Sequence, residues 1–245
     1  MYCFNTAVEG NISGWSAWTD IEYLYCQECY GLYGDVSGWS VLTKMIRMHA
    51  HYTAVSGDIS GWSAWTDIEY LYIQGTNVTG DVSGWSAMTQ IEYMYIEETA
   101  LTGSINGWST MTALQRIYMA SSSVGGDLSA LAGITTMDRF YCNFTSVTGD
   151  LNALSNKPLL THVGINTSSV TYTTSSLPAW DGIDMDLRNC LWTEAMVDNF
   201  LIDLADGCGA TGVVQLGGNN AARSSASDVA INTLTVVNSW TITTN

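Results

Sequence analysis

Two histidines and a glycine-rich segment are the first places where this chain could do chemistry. His49-x-His51 puts two imidazoles on one face of a strand, as zinc ligands would lie, but the spacing supplies no third ligand. The segment 207–212 fits G-x-G-x-x-G, yet it follows a helix pattern and precedes a strand pattern, the reverse of the dinucleotide-binding order. We therefore interpret the histidines as solvated or stacked side chains and the glycine segment as a loop.

A repeated serine is the next candidate for chemistry. The tripeptide Gly-Trp-Ser occurs five times, which a catalytic nucleophile would not do, and it lacks the closing glycine of G-x-S-x-G. The spacing of the other residues assembles neither a triad nor a separated pair of carboxylates. We predict that the chain is not an enzyme and needs no cofactor.

An acidic column offers one possible metal site. Its aspartates all follow the turn glycine of their repeats, at Asp35, Asp58, Asp81, Asp127 and Asp150. Stacked carboxylates at Asp35, Asp58 and Asp81 could hold calcium, which prefers oxygen ligands. The alternative, which we favour, is that these short side chains accept hydrogen bonds from backbone N–H groups at a turn.

A unit of 23 residues organises the chain. Its tryptophans stand at intervals of 24, 23, 23 and 23 residues, at Trp15, Trp39, Trp62, Trp85 and Trp108. Self-similarity at this period indicates a solenoid, in which each turn buries its apolar residues against its neighbours. Within a turn, Met94-x-Ile96 alternates as a short strand with one buried face, a glycine such as Gly80 follows as a turn, and a loosely helical or 3₁₀ segment returns.

The repeat resembles the leucine-rich repeat, and Leu101-Thr102-Gly103-Ser104-Ile105 is similar to the L-T-G-x-I of the plant-type subclass. Leucine is largely replaced by Ile, Met, Val and Trp, and the usual asparagine is a threonine. The resemblance implies an α/β solenoid with a parallel sheet on a concave face, 3₁₀ or loop segments on the convex face, and a small α/β cap. Threonine hydroxyls would offer a weaker belt along the backbone than asparagine, at Thr53, Thr76, Thr99 and Thr145.

The candidate binding face consists of the residues that alternate with the buried ones in each strand. They are rich in tyrosine and vary from turn to turn: Tyr23, Tyr25, Gln27, Arg47, His49, His51, Tyr70, Tyr72, Gln74, Tyr93, Tyr95, Glu97, Arg116, Tyr118, Arg139, Tyr141 and Asn143, with Tyr2 and Phe4 before them and His162 and Asn166 after them. Rigid aromatic rings and arginines are typical of binding hot spots, and rings beside amides suit sugars. The alternative is a tyrosine ladder that only stabilises the sheet.

Composition excludes two classes of partner. The net charge is −16 with only seven Lys plus Arg, so no basic patch exists for nucleic acid or an anionic membrane. No apolar run approaches the length of a membrane span. The low lysine content and the many Ser, Thr and Gly residues are typical of extracellular, cell-surface or virion proteins.

Six cysteines leave the redox compartment open. Cys3, Cys26 and Cys142 fall at inward strand positions, where a thiol is a small core residue. Cys3 and Cys26 are equivalent in adjacent turns, so a disulfide between them is geometrically possible, and Cys190 with Cys208 is a second candidate pair. Cys26-x-x-Cys29 has the spacing of a redox motif, but an inward Cys26 argues against that use.

The two ends of the chain differ. Residues 1–10 (with Thr6 and Val8) fit a half-repeat without a cap. Either the chain is a fragment of a longer protein, or the open edge of its first turn stacks on another subunit. A helix over 193–204 with Thr193 as N-cap, a strand at 213–216, a helix over 227–237 and a strand at 240–243 resemble the caps of bacterial and bacteriophage surface proteins. We predict about eight repeats over 1–192 and a capping region over 193–245.

Two functions of different classes remain. The first is a non-enzymatic recognition or adhesion module that binds a glycan or a protein on the tyrosine-rich face. The second is a subunit of an extracellular filament or surface layer that associates with itself through the N-terminal edge.

Overall fold

The computed structural model describes residues 1–3, 7–207 and 209–245. The chain divides into two compact units, Met1–Gly125 and Gly126–Asn245. Its strands, in chain order, are β1 Glu9–Asn11, β2 Tyr23–Tyr25, β3 Gly31–Asp35, β4 Arg47–His49, β5 Ala54–Asp58, β6 Tyr70–Tyr72, β7 Asn77–Asp81, β8 Tyr93–Tyr95, β9 Ala100–Ser104, β10 Arg116–Tyr118, β11 Ser123–Asp127, β12 Arg139–Tyr141, β13 Ser146–Asp150, β14 His162–Gly164, β15 Ser169–Thr171, β16 Ile183–Asp186, β17 Gly212–Gln215 and β18 Thr241–Thr243.

Each turn of the first unit adds one strand to each of two parallel sheets. The first sheet has the order β2-β4-β6-β8-β10, and the second has the order β1-β3-β5-β7-β9. A 3₁₀ segment closes each turn, which confirms the predicted solenoid with short strands and 3₁₀ returns. These segments are Ser13–Ala17, Ser37–Val41, Ser60–Ala64, Val82–Ala87 and Ile105–Thr110.

The second sheet stands where the sequence predicts only a turn. The segment Asn77–Asp81 is a strand, although Gly80 inside it has a φ of 133°. Glycine adopts this backbone without a steric penalty, so the chain bends while its ladder of hydrogen bonds continues. The repeated Thr-Gly therefore makes a bent strand as well as a change of direction.

Tryptophans form the centre of the core in the first unit. Trp39, Trp62, Trp85 and Trp108 are completely buried. The Trp39 and Trp62 rings are nearly parallel, with centroids 6.5 Å apart. Each turn therefore buries its largest side chain against that of the next turn, as a solenoid requires.

The second unit continues the repeat and then changes to helices. Its sheets have the orders β12-β14-β16-β17-β18 and β13-β15. Helix α1 spans Glu194–Gly207, and the Thr193 hydroxyl accepts a hydrogen bond from the Met196 N–H at 3.3 Å, as predicted for an N-cap. The predicted second helix is shorter: α2 spans Asp228–Asn232 and passes into a π-turn at Thr233–Val237. The predicted boundary at 192 lies within this unit and stays a prediction.

The cysteines of the described residues are free thiols, so the Cys3–Cys26 disulfide predicted as possible is not formed. The Cys29 thiol, and not that of Cys26, reaches the Cys3 backbone and donates to its carbonyl oxygen at 2.6 Å. Cys190 is also a free, buried thiol. Its predicted partner Cys208 lies outside the described residues, as do Phe4 and Thr6 of the N-terminal pattern.

Candidate functional site

Strand register in the first unit stacks the predicted binding residues into two columns on the first sheet. The outer column joins Cα partners from strand to strand: Tyr23, Arg47, Tyr70, Tyr93 and Arg116. The second column, which we name the ring ladder, contains Tyr25, His49, Tyr72, Tyr95 and Tyr118. The strand register thus places these ten side chains in order along one surface.

Rings of the ring ladder contact one another without a break. The centroid distances are 4.6 Å for Tyr25–His49, 4.2 Å for His49–Tyr72, 4.5 Å for Tyr72–Tyr95 and 4.3 Å for Tyr95–Tyr118. The interplanar angles run from 12° to 67°: the first two pairs are tilted, Tyr72–Tyr95 is edge-on and Tyr95–Tyr118 is stacked. Each ring is half-buried by its neighbours, because the strand spacing of about 4.8 Å is close to the contact distance of two rings.

Arginines cover tyrosines in the outer column. The Arg47 guanidinium lies 4.3 Å from the centroid of the Tyr70 ring and donates to the Glu69 carboxylate at 3.1 Å. Arg116 lies 5.0 Å from the centroid of the Tyr93 ring. Cation–π contacts hold both guanidinium groups over tyrosine rings of the outer column, and the ion pair with Glu69 fixes Arg47 further.

A third column follows the strands on the same face, and we name it the polar row: Gln27, His51, Gln74 and Glu97. Each of its members has one buried polar atom without a hydrogen-bond partner, namely Gln27 Oε1, His51 Nδ1, Gln74 Oε1 and Glu97 Oε2. Burial raises the pKa of Glu97 to about 7. Unpaired buried polar atoms are rare in native proteins, so four in one row need an explanation.

The two histidines are neutral at physiological pH. Burial, followed by the nearby His51 and Arg47 charges, lowers the pKa of His49 to about 4, and burial also lowers the pKa of His51. Their ring centroids are 6.3 Å apart. Across the described ranges, no three His, Cys, Asp or Glu side chains are grouped to hold a metal ion.

The predicted residues of the second unit have a different role. Asn143 Oδ1 accepts a hydrogen bond from the Asn166 backbone N–H at 2.9 Å. Asn166 is buried, so the prediction that it lies on the exposed face is wrong; its amide donates to Asp186 at 3.2 Å. The rings of Tyr141 and His162 are 6.5 Å apart, a much looser contact than any in the ring ladder.

The acidic column lies on the second sheet and bonds to the protein itself. Asp58 Oδ1 accepts from the Ser60 N–H at 2.9 Å and the Ser60 hydroxyl at 2.6 Å, and the Ser60 oxygen accepts from the Asp81 N–H of the next turn at 2.7 Å. This Asp–Ser relay repeats from Ser13 and Asp35 onward. Bonds from Ser60 lower the pKa of Asp58, as their serine partners do for Asp35, Asp81 and Asp127. The capping interpretation is therefore confirmed.

The threonine column bonds locally. Thr76 Oγ1 donates to the Ile73 carbonyl three residues earlier in its own turn at 2.6 Å, and Thr99 does the same to Ile96. The belt along the coil that we predicted for the threonines is instead supplied by the Asp–Ser relay. The hydroxyls of Thr76 and Thr99 are donated within their own turns and are therefore not available to the next one.

Sequence reasoning missed two groups of residues near this face. Glu69 and Glu92 precede strands β6 and β8; Glu69 holds Arg47, and Glu92 accepts from the Tyr70 hydroxyl at 3.2 Å. The recurring Ile-Glu-Tyr of these turns could have revealed both. The exposed Tyr30 and Tyr52 had no such signal, because the left-handed backbone of Tyr52 is invisible in the sequence.

Solved structures with a similar fold are leucine-rich repeat proteins. The ectodomain of the receptor kinase GASSHO1/SCHENGEN3 from Arabidopsis thaliana, in complex with CASPARIAN STRIP INTEGRITY FACTOR 2, has a TM-score of 0.68 at 12% identity over 95% of this chain and 28% of its own. The Arabidopsis receptor kinase HAESA, in complex with the peptide hormone IDA and the co-receptor SERK1, gives 0.64 at 18% identity over 85% and 35%. Internalin C2 from Listeria monocytogenes gives 0.52 at 17% over 85% and 76%.

These likenesses show the leucine-rich repeat fold. The chain spans 28% and 35% of the length of the two plant proteins. No curated protein matches the sequence. The sequence pattern of one family, described as "Mycoplasma protein of unknown function, DUF285", matches residues 19–131 and, in an overlapping second match, residues 66–180. Together these matches span residues 19–180, well over half of the chain, and the protein belongs to this family.

Proposed function

We propose that this protein is a non-enzymatic recognition module that binds a partner on the ring ladder and the polar row of its first unit. The observation that carries the proposal is the set of four buried, unpaired polar atoms in the polar row. Each unpaired buried group costs about 1–3 kcal/mol, and the polar row brings four of them together on one accessible face. Hydrogen bonds from a bound partner would satisfy them.

A polypeptide segment suits this surface best. The two plant proteins of similar fold are complexes, by their descriptions, with CASPARIAN STRIP INTEGRITY FACTOR 2 and with a peptide hormone. A segment lying across the strands would meet one polar-row residue per turn, spaced by about 4.8 Å. Its side chains would contact the rings of Tyr72 and Tyr95, which lose little entropy on binding. A glycan is the second ligand class, since rings flanked by amides can also stack on sugars.

A location outside the cell or at its surface is part of the proposal. The low lysine content supports it, and so do the receptor ectodomains of similar fold. Among the described residues, no helix combines the length and the apolar character needed to cross a bilayer. Self-association through residues 1–10 stays a separate prediction, which size-exclusion light scattering of the purified chain would test.

The test is a ligand screen with matched variants. Wild-type protein would be used to select from a random peptide phage library and to probe a glycan array, each beside the Tyr72→Ala/Tyr95→Ala variant. Thr79→Ala/Thr102→Ala is the matched control, because both threonines are exposed on the second sheet. The proposal is supported by ligands whose binding is lost in the tyrosine double variant and unchanged in the threonine double variant. Selected ligands that bind the tyrosine variant as well as wild type contradict it.

A further inference from the structure

A small pocket lies beside the polar row in the first unit and does not belong to the proposed binding face. Its volume is about 230 Å³, and it is lined by Tyr30, Tyr52, Thr53, Ala54, Gly75 and Asn77. Pockets for drug-sized ligands measure roughly 300–1,000 Å³. The space therefore fits one small chemical group and not an oligosaccharide or a folded partner.

Two aromatic rings form its walls. Tyr30 is 75% exposed and Tyr52 is 42% exposed, so both side chains are accessible from solvent. Tyr52 has a φ of 54° and its ring contacts the His51 ring edge-on at 5.5 Å. A Cβ atom at Gly75 would lie 2.6 Å from Tyr52 Cδ1, so the absence of a side chain there is what allows the ring to take this position.

The surroundings of the pocket are acidic. Burial and the carboxylates of Glu98, Glu97 and Glu28 all raise the pKa of the Tyr52 phenol, which means that these charges act on the ring. No lining residue is charged. The basic side chains of the neighbouring turns are held elsewhere: Lys44 pairs with Asp20 at 2.5 Å and Arg47 with Glu69 at 3.1 Å.

We infer that the pocket binds an alkylated ammonium group. Aromatic faces attract such cations through the negative potential of the ring, and the attraction grows with nearby carboxylates. A neutral group would gain only the apolar contact, and an anion would be repelled by the carboxylates of Glu28 and Glu98. The group can come from a choline-type molecule or from a methylated lysine side chain, which share this chemistry.

The experiment titrates three compounds into protein labelled with 3-fluorotyrosine and follows the Tyr30 and Tyr52 signals by ¹⁹F NMR at constant ionic strength. The compounds are choline, Nε-trimethyl-lysine amide, and the neutral choline isostere 3,3-dimethylbutan-1-ol. Saturable shifts are expected with one or both cations, and binding of the isostere is expected to be at least about tenfold weaker. The tighter of the two cations identifies the source of the group.

Variants separate the pocket from the rest of the surface. Tyr52→Ala is expected to abolish the saturable shift at Tyr30. Gly75→Asn should weaken binding by displacing the Tyr52 ring, while its left-handed backbone suits asparagine, as at Asn189. The matched control is Phe144→Ala, an exposed aromatic at the same repeat position as Tyr52, which should change nothing. Equal affinity for the isostere, no saturable shift with any cation, or unchanged binding in Tyr52→Ala would overturn the inference.

Discussion

The two sheets of the first unit arise from the same 23-residue repeat but use their polar groups in opposite ways. On the second sheet, each Asp–Ser pair bonds to its own turn and to the next, as Asp58, Ser60 and Asp81 do. On the first sheet, the polar row leaves one buried atom per residue unpaired. The second sheet therefore uses its polar groups to hold the coil together, whereas the first sheet leaves the polar groups on which the proposed binding role depends unpaired.

Residue variation follows the same division. On the second sheet, the position after the glycine is always a short polar residue that accepts from the N–H two residues later, namely Asn11, Asp35, Asp58, Asp81 and Ser104. On the first sheet, the outer column passes from tyrosine to arginine and back, as the Tyr23, Arg47 and Tyr70 partners show. A repeated bond requires a similar short acceptor in each turn, but recognition of an irregular partner requires different side chains in successive turns.

The largest expected effect concerns the second sheet. Gly80→Ala should lower the free energy of unfolding by about 2–3 kcal/mol, because alanine is strained at a φ of 133°. Its Cβ would also lie 2.7 Å from Asp58 Oδ1, within the relay. Gly84→Ala is the control, since no atom lies within 4 Å of its Cβ. Equal denaturant midpoints for the two variants would show that the relay does not constrain the backbone.

The next effect concerns the first sheet. Tyr72→Ala should weaken binding of a selected peptide by about 2 kcal/mol, the size of a typical hot spot, because it removes a ring that contacts both His49 and Tyr95. Thr79→Ala on the second sheet should leave the affinity within about twofold. Biolayer interferometry gives both values. A larger loss from Thr79→Ala than from Tyr72→Ala would reverse the roles assigned to the two sheets.

Glu97 provides a pH-dependent test of the open sheet. Its pKa of about 7 in the folded protein lies above the usual 4.5, so the unfolded chain loses its proton first as the pH rises from 4.5 to 7, and stability falls over that window. The Glu97→Gln side chain does not ionise, so this variant should not lose stability as the pH rises from 4.5 to 7. Allowing for partial solvent screening, the variant should be about 1–2 kcal/mol more stable than wild type at pH 8, with the difference shrinking toward pH 4.

Urea titrations at pH 4, 6 and 8 measure that difference. A stability gain independent of pH would mean that Glu97 is not held protonated by burial. Glu98→Gln, an exposed neighbour, is the control.

The smallest effect probes one link of the relay. Ser60→Ala removes the acceptor for the Asp81 N–H and the donor to Asp58, and should cost about 1 kcal/mol of unfolding free energy. Ser63→Ala, in the Gly-Trp-Ser that follows Ser60, is the matched control. If calorimetry shows that both variants melt at the wild-type temperature, the Asp–Ser relay does not stabilise the fold.

The solenoid and most of the face could be predicted because they depend on periodicity. A period of 23 fixes which side chains share a column, and alternation fixes which face of β6 or β8 is buried. Hydrogen-bond partners do not follow from period alone. The sequence therefore identified the Asp58 column but assigned the belt to Thr76, whose hydroxyl is held by Ile73 in its own turn.

The pocket and the second sheet could not be predicted for a different reason. Both depend on backbone angles that non-glycine residues rarely adopt, such as the φ of 54° at Tyr52. The pocket also depends on Gly75, which in the sequence is one glycine among 23. Burial of Asn166, likewise, follows from its hydrogen bond to Asp186 and not from its position in the repeat.

The most direct test of the central claim is a ¹⁹F NMR titration of the 3-fluorotyrosine-labelled protein with a selected peptide. Tyr72 and Tyr95 report on the ring ladder, and Tyr33, exposed on strand β3, reports on the second sheet in the same sample. The account predicts saturable shifts at Tyr72 and Tyr95 and none at Tyr33. A shift at Tyr33 with unchanged ring-ladder signals would contradict it.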